Sequence, residues 1–114
     1  MDKQSRREAL RQYKERTPAV GVFAVRCAAT GEAWVAGSRN LDQQQNGVWF
    51  SFRHGGHPNR AAQAAWNAHG EAAFSFEPLE TIETADLTPL SIDARLKEAE
   101  QAWRERLGAG KLVG

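Results

Sequence analysis

The sequence has a single cysteine, almost no net charge and no long apolar run. A lone Cys27 excludes an intramolecular disulfide and suits a reducing compartment, so a cytoplasmic location is expected. The longest apolar stretch, residues 19–25, falls far short of the roughly 20 residues that cross a bilayer, which argues against a membrane partner. Residues 1–7 lead into no apolar stretch of the kind found in secretory signals, and none is expected. No Cys/His spacing suits zinc, and there is neither an internal repeat nor a low-complexity segment. A net charge of +1 excludes a global basic field that would by itself announce nucleic acid.

What is present is a 114-residue chain, 41% apolar and 25% charged, enough for one domain with a modest core. Its charge is unevenly spread. Residues 1–60 hold ten Lys/Arg and five Asp/Glu, net +5, and residues 61–114 hold five and nine, net −4. Such a basic half is either a phosphate-facing surface or a set of solvated helix faces.

Residues 1–18 form a basic, helix-prone segment with Ala9, Leu10 and Tyr13 as a thin apolar stripe. Thr17-Pro18 ends it, because the residue before proline is pushed out of the helical region. Residues 20–26 are rich in β-branched and aromatic side chains and predict a strand. The Ala29-Thr30-Gly31 turn and residues 32–36 complete an antiparallel hairpin. Helices are predicted over 41–52 and over 60–69, the second capped by Asn59 and closed by Gly70. Phe74, Phe76 and Pro78 alternate with polar residues as a third strand, with Pro78 marking an edge or the end of pairing. Residues 81–90 read as a loop. Ser91 is the expected cap of a last helix over 92–107, whose stripe is Ile92, Leu96, Ala99, Trp103 and Leu107. The expectation is an α+β fold of order α-β-β-α-α-β-α, with a three-stranded antiparallel sheet flanked by helices. The domain spans 19–107, and 108–114 form a flexible tail.

Gly21-Val22-Phe23 and, eleven residues after the phenylalanine, Trp34-Val35-Ala36-Gly37-Ser38 resemble the paired tripeptides of the GIY-YIG nuclease superfamily. Asn59-Arg60, Gln63, Trp66-Asn67, His69-Gly70-Glu71 and Phe74 resemble the middle of its intron-homing members. The resemblance covers roughly residues 20–105. It implies a phosphodiesterase site with two tyrosines, an arginine, a histidine and a metal-binding glutamate. Those positions fall here on Phe23, Trp34, Gln44, Val48 and Glu100. It also implies Mg²⁺ or Mn²⁺ at Glu100 if the protein is active.

Four of these five positions lack the implied chemistry. Phe23 has no hydrogen-bonding group, and the indole of Trp34 donates but is no base. Gln44 is uncharged, and Val48 is apolar. Loss of a single electrostatic donor commonly costs on the order of 10²–10³ in rate. Glu100 lies one helical turn before Trp103, at the shoulder of the apolar stripe; there it either points over the sheet as a metal ligand or reaches water. Arg39, Arg53 and Arg60 are candidate phosphate-binding residues. His54 and His57 are candidate acids or bases, or members of a solvated loop.

Three functions follow as expectations. The first is a degenerate GIY-YIG-type domain that binds DNA or RNA with little or no hydrolysis. The second is a weak metal-dependent endonuclease built on Glu100. The third is a protein-interaction module using an apolar groove around Trp34 and Trp49.

Overall fold

The computed structural model of the chain describes residues 19–112. The expected N-terminal helical segment lies outside the described residues. Strands β1 (Gly21–Cys27) and β2 (Ala33–Ser38) form the hairpin, followed by α1 (Leu41–Arg53), α2 (Arg60–His69) and a 3-10 turn (Glu71–Ala73). Strand β3 (Phe74–Thr81), the long helix α3 (Pro89–Leu107) and the short strand β4 (Gly110–Lys111) complete the fold.

The hairpin forms because apolar residues alternate across it. β1 pairs antiparallel with β2, Phe23 opposite Ala36 and Val25 opposite Trp34, and antiparallel with β3 on its other side. β3 is an edge strand, which is where Pro78 is tolerated. The register against β1 shifts between Val22 and Phe23, so that Val22 faces Glu80 while Phe23 faces Pro78. This bulge turns Leu79 onto the face occupied by α3.

The sheet corrects the expectation of three antiparallel strands. It has four, in the order β3-β1-β2-β4, and β4 runs parallel to β2. A two-residue strand has no alternation to read, and its partner lies some 75 residues upstream across a helical crossover. The pairing extends past Lys111: the Leu112 N–H donates to the Val35 carbonyl at 3.0 Å, and the Leu112 side chain is buried.

Side-chain alternation divides the sheet into two faces. Phe23, Val25, Cys27, Trp34 and Ala36 pack with Leu41, Val48, Trp49 and Phe52 of α1 and with Ala62, Ala65 and Trp66 of α2. Val22, Ala24 and Val35 face the other way, under Leu96, Ala99, Trp103 and Leu107 of α3. The result is three layers, with β1 central and buried on both sides.

Local signals account for the helix ends. The Asn59 side chain accepts from the Ala62 N–H at 2.9 Å, as an N-cap should. Gly70 (φ +80°) and Gly108 (φ +62°) close α2 and α3 in a region that other residues rarely adopt. The start of α3 is a correction. Thr88, not Ser91, is the cap, its hydroxyl accepting from the Ser91 N–H at 3.1 Å, and Pro89 takes the first helical position. Pro at that position loses no helical hydrogen bond, so α3 begins three residues earlier than Ile92.

Candidate functional site

The predicted family positions do not converge. Phe23 is fully buried and stacks on Phe76 at 4.8 Å. Trp34 is 5% exposed and stacks on Phe74, and Val48 is 4% exposed within the same cluster. All three belong to the layer of α1 and α2. Glu100 belongs to α3, on the opposite side of the sheet. Trp49 is likewise buried, at 7% exposure, which corrects the idea of an apolar groove lined by Trp34 and Trp49. Both indoles fill the core because alternation in β2 and the stripe of α1 point them inward.

Glu100 lies where sequence reasoning left two alternatives open. It is 9% exposed, the one buried residue of α3, although its neighbours on the stripe are apolar. It lines a cleft of about 400 Å³ together with Ala36, Gly37, Asp93, Leu96, Lys97 and Lys111. Gly37 lets α3 approach β2 closely there: a Cβ on it would sit 3.3 Å from Leu96 Cδ2. Glu100 takes part in none of the ion pairs among the described residues.

Beside the cleft the chain bends as it leaves β2. Ser38, 4% exposed, donates through its hydroxyl to Gln44 Oε1 at 2.8 Å and accepts from the Asn40 N–H at 3.0 Å. Gln44 therefore holds the β2–α1 bend. Arg39 reaches the opposite helix, donating to the Pro89 carbonyl at 3.0 Å and pairing with the Asp93 carboxylate.

Of the three candidate arginines, Arg39 alone is tied to a residue of the cleft. Arg53 makes a two-pronged contact with Glu71, Nε at 2.9 Å and the terminal nitrogen at 3.0 Å. That contact raises the Arg53 pKa, and its hydrogen bond holds Glu71 below its ordinary range. Arg60 is exposed in the first turn of α2. Arg26 pairs with Glu77 at 2.8 Å. Three of the four arginines in residues 19–60 thus meet acidic partners from 61–114. The fold brings the basic half of the described chain against the acidic half.

The histidines separate. His54 is exposed and stacks against Phe50 at 4.1 Å. His57 is buried against Phe52, with ring centroids 4.5 Å apart, and burial lowers its pKa from the ordinary 6.5. Its Nδ1 accepts from the Asn59 N–H, and its own N–H donates to Gln63 Oε1. Gln63 also donates to the Phe52 carbonyl and to Asn67, while the Asn59 amide donates to the Lys111 carbonyl. These motif residues therefore form a polar hub that joins α1, α2 and β4.

Sequence reasoning missed Asp93, Lys97 and Lys111. The first two were legible, since Asp93, Lys97 and Glu100 recur at helical spacing on one face. Lys111 had no local signal, because only the parallel crossover brings it near. For a divalent ion, the described residues contain no group of three or more His, Cys, Asp or Glu side chains. Glu100 is a single carboxylate donor, compatible only with an ion that keeps water and takes further oxygens from a substrate.

No protein-family model and no curated protein matches the chain. Solved structures do. The catalytic domain of the homing endonuclease I-TevI superposes with a TM-score of 0.67 at 16% identity, covering 83% of this chain and 99% of that one. A glutamate-to-alanine variant of the catalytic domain of the intron endonuclease I-TevI gives 0.66 at 17% identity, covering 79% and 84%. The chain therefore shares its fold with this endonuclease catalytic domain, the kind of fold that the resemblance seen in the hairpin implies.

Proposed function

We propose that this chain is a nuclease-fold domain that binds the phosphate backbone of DNA or RNA with little or no hydrolysis. The carrying observation is the separation of Glu100 from Phe23 and Trp34 by the sheet, with both aromatic side chains committed to the core. Hydrolysis needs an activated water and stabilised phosphoryl oxygens at one point, and the described residues lining the cleft include neither a tyrosine nor a histidine. Binding makes smaller demands. Lys97 and Lys111 offer charge beside Glu100, and the nuclease domains sharing this fold make nucleic acid the natural ligand class. Among the described residues no helix is long and apolar enough to cross a membrane, and the proposed location is cytoplasmic.

The enclosed Glu100 favours one second reading, a weak endonuclease. Glu100 would hold Mg²⁺ or Mn²⁺, and the ion would supply charge to the phosphoryl oxygens. One experiment separates the two. Labelled DNA and RNA are titrated at low and high salt, and plasmid nicking is followed with Mg²⁺ or Mn²⁺ for wild type and Glu100→Gln. Association that weakens with salt, without nicking, is expected, because phosphate contacts release counterions. Nicking that disappears in Glu100→Gln would establish the second reading instead. No association at low salt would defeat the proposed one.

A further inference from the structure

We infer that Asp93 competes with a phosphate ligand for the guanidinium of Arg39. It holds the guanidinium beside the cleft until a phosphodiester takes it over. The inference rests on the reading that this cleft meets a nucleic-acid backbone, and it names how that site is regulated.

Arg39 sits on the bend two residues after Gly37, which lines the cleft, and reaches across to the first turns of α3. There its terminal nitrogen serves two acceptors, the Pro89 carbonyl and the Asp93 carboxylate. Asp93 lines the same cleft as Lys97 and Glu100, which follow it on one face of α3. The cleft charges balance, with Asp93 and Glu100 against Lys97 and Lys111. Arg39, while paired, cancels the Asp93 charge and leaves Lys97 and Lys111 against Glu100, so an entering phosphate gains the guanidinium only by displacing that carboxylate.

The pair is built to exchange. Its side chains are 46% and 64% exposed, and exposed ion pairs are weak. A guanidinium presents parallel donors that suit phosphate as well as carboxylate. Asp93 thus acts twice, repelling the ligand and withholding its donor. Arg53 gives both of its hydrogen bonds to the one Glu71 carboxylate, away from the cleft residues.

The test is fluorescence anisotropy with a fluorescein-labelled mixed-sequence DNA duplex at low salt, repeated with an RNA of the same sequence. Wild type, Asp93→Asn, Arg39→Gln and the double variant are compared, with Asp93→Ser as a second removal of the carboxylate and circular dichroism as the folding check. Asp93→Asn should tighten binding about threefold, the scale of one exposed charge contact. It should also steepen the salt dependence by about one released counterion. Arg39→Gln should weaken binding and remove most of the gain from Asp93→Asn. Equal tightening in both backgrounds would overturn the inference and leave Asp93 a plain repulsive charge. No tightening in either Asp93 variant would overturn it as well. If neither wild type nor any variant associates at low salt, the nucleic-acid reading itself fails, and this inference with it.

Discussion

The two faces of the sheet are made from the same strands but packed in different ways. On one, Phe23, Val25 and Trp34 meet α1 and α2 in a dry aromatic cluster. Trp66 lies 4.9 Å from Phe52 and 5.2 Å from Phe74 by ring centroids, and Trp49 lies 5.6 Å from Trp66. On the other, Val22, Ala24 and Val35 are covered by a single helix whose apolar residues are only half-buried. That side keeps a cleft and places four charged side chains around it. Stability is concentrated on the first face and polar chemistry on the second. Phe23, Trp34 and Val48, all on the first face, are packing residues.

Breaking the first face should have the largest effect. Phe23→Ala removes a fully buried ring and should cost about 3–5 kcal/mol in urea or thermal unfolding. A loss below about 1 kcal/mol would mean that Phe23 is not the packing residue described. Phe23→Tyr sharpens the comparison further. Its added hydroxyl would enter the aromatic cluster and should cost about 1–3 kcal/mol for want of a partner, without conferring nicking. Nicking in that variant would show that the first face is still connected to the cleft.

Acid should weaken the first face in two stages. His57 is held neutral in the fold, with a pKa below 6.5. Above pH 6.5 folded and unfolded chains both carry it neutral, and its contribution is fully present. As the pH falls through 6.5 the unfolded chain takes up a proton that the fold resists, and stability declines until the folded pKa is passed. Glu71, with its pKa lowered by the hydrogen bond from Arg53, contributes above its ordinary range and loses that contribution as pH falls through the folded value. Urea midpoints followed across pH should therefore show a first decline just below neutrality that is absent in His57→Gln. The lower decline should be absent in Glu71→Gln.

The smallest effect on folding is expected at the second face. Glu100→Gln should change stability by no more than about 1 kcal/mol, because the amide keeps the shape of the side chain and no ion pair among the described residues is lost. Loss of several kcal/mol in thermal unfolding would make Glu100 a structural group and remove it from the candidate site.

Much of this division was legible in the chain. Alternation in residues 21–27 and 33–38 separates Phe23 and Trp34 from Val22 and Val35. The Asn59 cap, the closing glycines and the stripe of α3 follow from local backbone chemistry, which needs only neighbouring residues. Even the likeness to the nuclease hairpin rests on short-range spacing. Other features depended on distance in sequence. No local pattern marks Gly110–Lys111 as a parallel strand beside β2. Nothing in residues 19–60 announces that Arg26, Arg39 and Arg53 meet Glu77, Asp93 and Glu71, so the charge asymmetry left a phosphate-facing surface and solvated helix faces equally open. The sequence by itself determined the elements and their buried sides, because these depend on residue type and period. The tertiary structure decided which helix covers which side of the sheet. It thereby put Glu100 in a charged cleft and Phe23 in the core, since ion pairs and layer order arise only when remote segments pack.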